Sequence, residues 1–206
     1  MNKKILTLFE QWKEEYTASV NELTELDSAG GDGDLGIVMS DGFSKLYDFV
    51  SQMQEEDIGK IFYKAGKEFN RVASSSMGTL ISFGMMTAGK KLKNQTDLNT
   101  NTFVEILSGV SEGVQQLGKA KEGEKTFLDA ICPATRAAIA HKDQDAITCL
   151  KSAVDAAKAG IENAKEMEAI HGRLAFRKER SIGMIDPGTV AAYHFVKGMY
   201  DAVKRW

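Results

Sequence analysis

Apolar positions along the chain recur at three- and four-residue steps, the period of a helix with one buried face. Ile5, Phe9, Trp12, Tyr16 and Val20 step by four, three, four and four. Phe103, Ile106, Leu107, Val110, Val114 and Leu117 trace one face of another helix, and Ile147, Leu150, Val154, Ala157 and Ile161 a third. No long stretch alternates apolar and polar residues as a half-buried strand does. The start signals agree. Thr102-Phe103-Val104-Glu105 has capping-box spacing. Asp186-Pro187 sets an N-cap residue before a proline suited to the first helical position, and Asp57 and Asp145 are placed to cap two more helices. Together the signals predict about eight helices, near 2–21, 35–52, 58–72, 77–93, 103–118, 126–141, 146–167 and 187–204. The polar segments Leu23 to Asp34, Lys119 to Lys125 and Gly172 to Asp186 are expected to be non-helical. With no repeat, linker or low-complexity tract across 1–206, the expected fold class is all-α: a single domain of about eight helices.

Composition narrows the function classes. The 206 residues suffice for one full core, and 43% hydrophobic and 27% charged residues are ordinary for a soluble globular chain. A net charge of -3, with both signs dispersed, argues against a nucleic-acid surface or a polybasic membrane patch. No apolar run approaches the roughly 18 residues that span a bilayer. The short run Ile5 to Phe9 is ended by Glu10 and Lys13, too soon for a signal peptide. Cys132 and Cys149 form no CxxC pair and read as small core residues of a chain kept reduced, so a cytoplasmic location is expected. His141, His171 and His194 lack metal-ligand spacing, which argues against zinc.

The chemistry concentrates in Asp27-Ser28-Ala29-Gly30-Gly31-Asp32-Gly33-Asp34-Leu35-Gly36. Gly31, Gly33 and Gly36 satisfy a bare GxGxxG, but residues 21–26 make a poor strand, and Asp32 and Asp34 would oppose a phosphate. An EF-hand fails because Ile37 replaces its glycine and Phe43 its last glutamate. What remains is a turn holding three carboxylates, Asp27, Asp32 and Asp34, beside permissive glycines. A hard cation such as magnesium would turn their repulsion into binding. The helix expected from Leu35 would offer its positive end to phosphate. A solvated turn with a helix cap accounts for the same residues, and the loop by itself leaves both readings open.

Four motifs in order carry a family resemblance. Asp27-(x4)-Asp32-Gly33-Asp34-(x)-Gly36, with Met39 and Gly42, resembles the magnesium motif of the L (nucleotide-binding) subunit of dihydroxyacetone kinase, phosphotransferase-system type. Ser75-Ser76-Met77-Gly78-Thr79-Leu80 resembles its glycine- and serine-rich nucleotide loop, and Gly123-Glu124-Lys125-Thr126-Phe127-Leu128-Asp129 its Gly-Asp-Lys-Thr-Met-Leu-Asp segment. Gly172-Arg173-Leu174-Ala175-Phe176, Glu179-Arg180-Ser181-Ile182-Gly183 and Asp186-Pro187-Gly188 resemble its last stretch. The blocks span about residues 20 to 195. The departures are Leu35, where many relatives have histidine, Phe127 for methionine, and Ser74 to Thr79 in place of Gly-Gly-Ala-Ser-Gly-Pro.

The resemblance implies a barrel of eight antiparallel helices holding ADP or ATP and two magnesium ions at one end. Carried over, Asp27, Asp32 and Asp34 coordinate magnesium, while Leu35, Gly36, Ile37 and Val38 present a helix N-terminus to phosphate. Ser76, Met77, Gly78 and Thr79 contact the nucleotide, and Gly118 and Phe127 line the base pocket. Arg173, Asp186, Pro187 and Gly188 close the site. Arg173 would also add charge during transfer, which in phosphoryl chemistry is a matter of positioning and neutralisation. For Arg177 and Lys178 a solvated basic loop is the plainer expectation, and Lys125 reads equally as a phosphate partner or as part of a loop entering a helix. The implied partners are a K subunit that holds a ketose covalently and a phosphohistidine-bearing donor subunit, with self-association left open. A regulatory nucleotide-binding protein and a kinase for another small ketose are the alternatives.

Overall fold

The computed structural model describes residues 3–206. Its elements are α1 (Lys3–Ala18), α2 (Val20–Ser28), α3 (Leu35–Ser51), α4 (Ile58–Val72), α5 (Ser76–Lys91), α6 (Thr100–Gly118), α7 (Leu128–Ala140), α8 (Ala146–Lys165), a 3-10 helix (Arg173–Ser181) and α9 (Pro187–Val203). Among the described residues there is no strand.

The packing partners define a closed ring. α1 packs on α3, each helix from α3 to α8 packs on the next, and α9 returns to α1. Eight helices, the number expected from the pattern, therefore make the barrel that the resemblance implied, and α2 is an extra element laid on α3 and α9. The ring encloses aromatic side chains, Trp12 and Tyr16 of the α1 face expected from the spacing among them. Trp12, Tyr16, Phe43, Phe62, Phe69 and Phe195 are fully buried. Tyr16 stacks on Phe43 with ring centroids 4.3 Å apart, and Trp12 on Phe195 at 4.5 Å. Their polar tips are satisfied across the α1–α9 seam. Trp12 Nε1 donates to the Phe195 carbonyl and the Tyr16 hydroxyl donates to the Ala191 carbonyl, each at 2.8 Å. Burying a side chain of this size contributes roughly 1.5–3 kcal/mol, so these rings dominate the closure of the barrel.

The structure corrects several sequence expectations. The helix expected over 2–21 breaks at Ser19, and Met1 and Asn2 lie outside the described residues. The Ser19 amide donates to the Glu15 carbonyl and its carbonyl accepts the Leu23 amide, both at 3.0 Å, so the break is a bend rather than a loop. α2 then continues to Ser28, inside the segment expected to be non-helical. Its sequence shows little periodicity because Leu23 is its one fully buried residue. A second correction is the 3-10 helix within 172–186, another segment with few buried side chains to announce it.

The capping box of α6 lies one turn before the Thr102–Glu105 pattern. Asn99 Oδ1 accepts the Thr102 amide at 3.2 Å, and Thr102 Oγ1 accepts the Asn99 amide at 2.8 Å. Leu117 and Ile147, assigned to buried faces by spacing, are exposed. α8 instead turns Cys149, Leu150, Ala153, Val154, Ala157, Gly160 and Ala164 inward. The other caps match expectation. Asp57, Asp145 and Asp186 accept the amides of Lys60, Thr148 and Thr189 at 3.2, 3.0 and 2.7 Å. Both cysteines are free, Cys149 buried and Cys132 partly so. No helix among the described residues is long and apolar enough to cross a membrane.

Candidate functional site

The acidic loop is built by the end of one helix and the start of the next. Asp27 lies in the last turn of α2, and its Oδ2 accepts the amides of Asp34 at 3.1 Å and Leu35 at 3.3 Å. It thereby caps α3, a task that Asp34, at the N-cap position, does not perform with its own side chain. Gly33 makes the tight return at φ +73°, and any side chain on Gly31 would collide with the Asp27 carboxylate. The result gathers one carboxylate oxygen from each of Asp27, Asp32 and Asp34 within 4.8 Å. Arg173 forms an ion pair with Asp32. Burial, then the charges of Asp32 and Asp27, hold the Asp34 carboxyl above its ordinary range. An all-oxygen, acid-rich donor set of this kind fits a hard divalent cation that keeps open positions for water or phosphate.

The loop forms one wall of a cavity of about 430 Å³, within the size range of small-molecule sites. Four helices begin at this cavity: α3 at Leu35, α5 at Ser76, α7 at Leu128 and α9 at Pro187. α6 ends there, at Gly118. Alternate members of the ring therefore run in opposite directions, and the antiparallel barrel brings four positive helix ends to one place. The cavity is also lined by the apolar side chains of Leu35, Met77, Leu80, Val114, Phe127 and Leu128. The cavity thus combines a cation-fitting carboxylate cluster and helix N-termini with apolar surface suited to a flat ring.

The residues singled out from the sequence divide in position. Asp27, Asp32, Asp34, Leu35, Ser76, Met77, Gly118, Phe127, Arg173, Asp186, Pro187 and Gly188 line the cavity. Gly36 packs against the Val20 carbonyl and Thr24. Ile37 is exposed, and the Val38 amide donates to the Asp34 carbonyl at 2.9 Å. Gly78 and Thr79 belong to the cap of α5. Ser75 Oγ accepts the Gly78 amide at 3.0 Å, and the Thr79 hydroxyl donates to the Ser75 carbonyl at 2.9 Å. Asp186 is buried at the cavity edge. Burial pushes its carboxyl up to about 7, with the Thr189 amide opposing, the Asp129 charge adding and Lys125 opposing.

Lys125 also borders the cavity, with its ammonium turned to the backbone. Its ammonium donates to the carbonyls of Ser181, Met167 and Lys165 at 2.6, 3.1 and 3.3 Å, which engages its three protons. Burial lowers its pKa, against the charges of Asp186 and Glu166.

Sequence reasoning gave no site role to Val114 and Ala120, which lie in the cavity wall with Ser74, Leu80 and His171. It also gave Asp129 no task. Asp129 accepts the amides of Gly123 at 2.6 Å and Thr126 at 2.7 Å and so shapes the loop before α7. The Thr126-x-x-Asp129 spacing was the available signal for that cap.

A closed helical barrel with three carboxylates and four helix N-termini around one cavity has the chemistry that fits an anion beside a hard cation. The chain belongs to the DAK2 domain family, whose model matches residues 29–201. It is similar to the PEP-dependent dihydroxyacetone kinase 1, ADP-binding subunit DhaL, of Listeria innocua, at 28% identity over 88% of this chain and 89% of that one. It is similar at 27% identity to the corresponding ADP-binding subunit of Escherichia coli, covering 92% of this chain and 91% of the relative. Its fold is that of part of the dihydroxyacetone kinase of C. freundii, solved in complex with AMP-PNP and Mg2+. That match has a TM-score of 0.78 at 24% identity, over 98% of this chain and 34% of that longer one.

Proposed function

We propose that this chain is the nucleotide-binding, phosphoryl-transfer subunit of a dihydroxyacetone-type kinase. In this reading it carries Mg-ADP or Mg-ATP and passes phosphate to a ketose held on a separate K subunit, and a phosphohistidine-bearing subunit recharges it. The observation that carries the reading is the meeting of the Asp27, Asp32 and Asp34 carboxylates, within 4.8 Å, with a cavity onto which four helix N-termini open. The names of the full-length relatives support it.

Asp27, Asp32 and Asp34 would hold the metal, and we propose two ions on the resemblance to the dihydroxyacetone kinase L subunit. Bound there, magnesium neutralises charge on the phosphate oxygens. The chain's own groups do the rest. The α3 and α5 N-termini hold the phosphates by backbone N–H groups and dipole. Met77, Leu80, Val114 and Phe127 form the apolar wall for the base. Arg173, paired with Asp32, sets a planar guanidinium at the mouth, where a transferring phosphoryl group needs charge and a fixed fork of donors. In this reading the acceptor ketose comes with the partner.

The test is calorimetric titration of ADP into the chain with magnesium and again with EDTA, after denaturation and mass analysis for nucleotide that copurifies. Tight, magnesium-dependent binding is expected. Binding indifferent to EDTA, or none by nucleotide-free protein, would overturn the reading.

A further inference from the structure

The segment between α8 and α9 has little to hold it. Its 3-10 helix packs broadly on none of the α-helices. Leu174 and Ser181 are its buried residues, and Phe176 is 88% exposed. Lys178 breaks its helical geometry at φ 49°. Yet the segment carries Arg173 to Asp32 at the cavity mouth.

What ties it down comes mainly from two adjacent residues of the loop before α7. The Glu124 carbonyl accepts the Ile170 amide at 3.3 Å, and the Glu124 carboxylate meets His171 Nε2 at 2.7 Å. Lys125, held at φ 58°, turns inward and is 1% exposed. Its ammonium bonds the carbonyls of Lys165 and Met167 on one side of the segment and Ser181 on the other. Ser181 extends the tie, because its hydroxyl accepts the Ala169 amide at 2.9 Å and donates to the Lys178 carbonyl at 2.6 Å. The start and end of the segment are thus gathered on one buried cation, and Leu174 against Gly30 is the apolar contact at the far side.

We propose that Lys125 is an internal cation that fastens residues 166–183, and with them Arg173, over the cavity mouth, and so acts as a positioning residue for phosphoryl transfer. The proposal rests on the phosphoryl-transfer reading above for its catalytic consequence, but not for the fastening itself. The charge matters as well as the hydrogen bonds: carbonyl oxygens converging on one point are held together by a cation and repel without it.

Trypsin reads the fastening directly, because Arg173, Arg177, Lys178 and Arg180 are cleavage sites within the segment. In Lys125→Met, cleavage in 173–180 should accelerate by about tenfold or more, since proteolysis follows the population of the opened form. Cleavage at Lys60 and Arg71, on α4, should stay near the wild-type rate. Lys125→Gln, which keeps N–H donors without charge, should fall between. Methylammonium should slow cleavage of Lys125→Ala by refilling the carbonyl site. In the assay with the partner subunit, Lys125→Met should lower kcat by about tenfold or more while the affinity for Mg-ADP changes little.

Unchanged cleavage in Lys125→Met overturns the fastening. An equal loss of Mg-ADP affinity and turnover overturns the positioning role and makes Lys125 a ligand contact. If Lys125→Met fails to fold, Lys125→Gln gives the same reading; failure of both to fold makes the lysine a support of the whole barrel and also sinks the proposal. If wild-type protein binds no Mg-ADP, the proposed function falls, and the proteolysis still decides whether Lys125 fastens the segment.

Discussion

Asp27, in the last turn of α2, accepts the backbone amide of Asp34 at 3.1 Å across the glycine turn between them. The Asp27 carboxylate therefore caps α3 and also stands in the acidic triad. The two aspartates should separate in mutation. Asp27→Ala should cost about 1 kcal/mol of stability through the lost cap and also weaken magnesium-dependent ADP binding. Asp34→Asn should weaken binding with no loss of stability, because it removes a like charge from a crowded site. Thermal denaturation without metal, set beside calorimetry with it, distinguishes the two. Equal Tm changes would mean that the cap is not the role of Asp27.

Arg173 is exposed and its pair with Asp32 lies at the surface, where ion pairs contribute at most about 1 kcal/mol. Arg173→Gln should therefore leave Tm almost unchanged. Phosphoryl transfer in the presence of the partner subunit should fall by about 10²-fold or more, as when one preorganised donor to a transition state is removed. A wild-type rate in that assay would exclude a role for Arg173 in transfer.

Asp186 predicts a pH effect on stability. Burial raises its folded carboxyl to about 7, against about 3.9 in an unfolded chain. A raised folded pKa contributes stability that is fully present below the unfolded value and is lost as pH rises toward and through 7. Asp186→Asn retains an oxygen for the Thr189 amide but cannot ionise. Its denaturation midpoint should vary less between pH 4 and 8 than that of the wild type and exceed it at pH 8 by about 5 °C. Parallel pH curves for the two proteins would contradict this account.

His194 joins three helices. Its ring nitrogens meet Glu15 of α1 at 2.8 Å and Glu22 of α2 at 3.0 Å. Glu15 also accepts from Lys197 at 2.5 Å. Burial works to raise the Glu15 carboxyl, but the bonds from His194 and Lys197 outweigh it and leave the group below its ordinary range. His194→Phe keeps the bulk and removes both bonds, so urea denaturation should register a loss of roughly 1–3 kcal/mol. The loss should be smaller at a pH low enough to protonate Glu15, whose contribution is present above its unfolded pKa and disappears as pH falls through the folded one.

The barrel was legible because each wall helix buries a face. Phe103, Ile106, Leu107, Val110 and Val114 repeat with the helical period and all lie in the core. The acid turn was legible too, as three aspartates among glycines, although nothing local told that Asp27 would cap α3. Where burial is sparse, the period fails. α2 has Leu23 and little else. The 173–181 helix depends on Lys125, whose bonds span 40 to 56 residues of chain. The same distance explains why Lys125 could be read equally as a phosphate partner: a lysine in a loop declares its charge, and only the folded chain shows which oxygens surround it.

The four helix ends at the cavity have an evolutionary consequence. A field drawn from peptide dipoles is not written in any side chain, so no single substitution that preserves the helices can delete it. The serine run Ser74 to Ser76 can exchange its residues, and thereby its preference for one ligand over another, while the attraction for phosphate persists. Beside the metal-fitting carboxylates, the barrel keeps part of its attraction for phosphate in its backbone, so the serine loop can change its selectivity without removing that part.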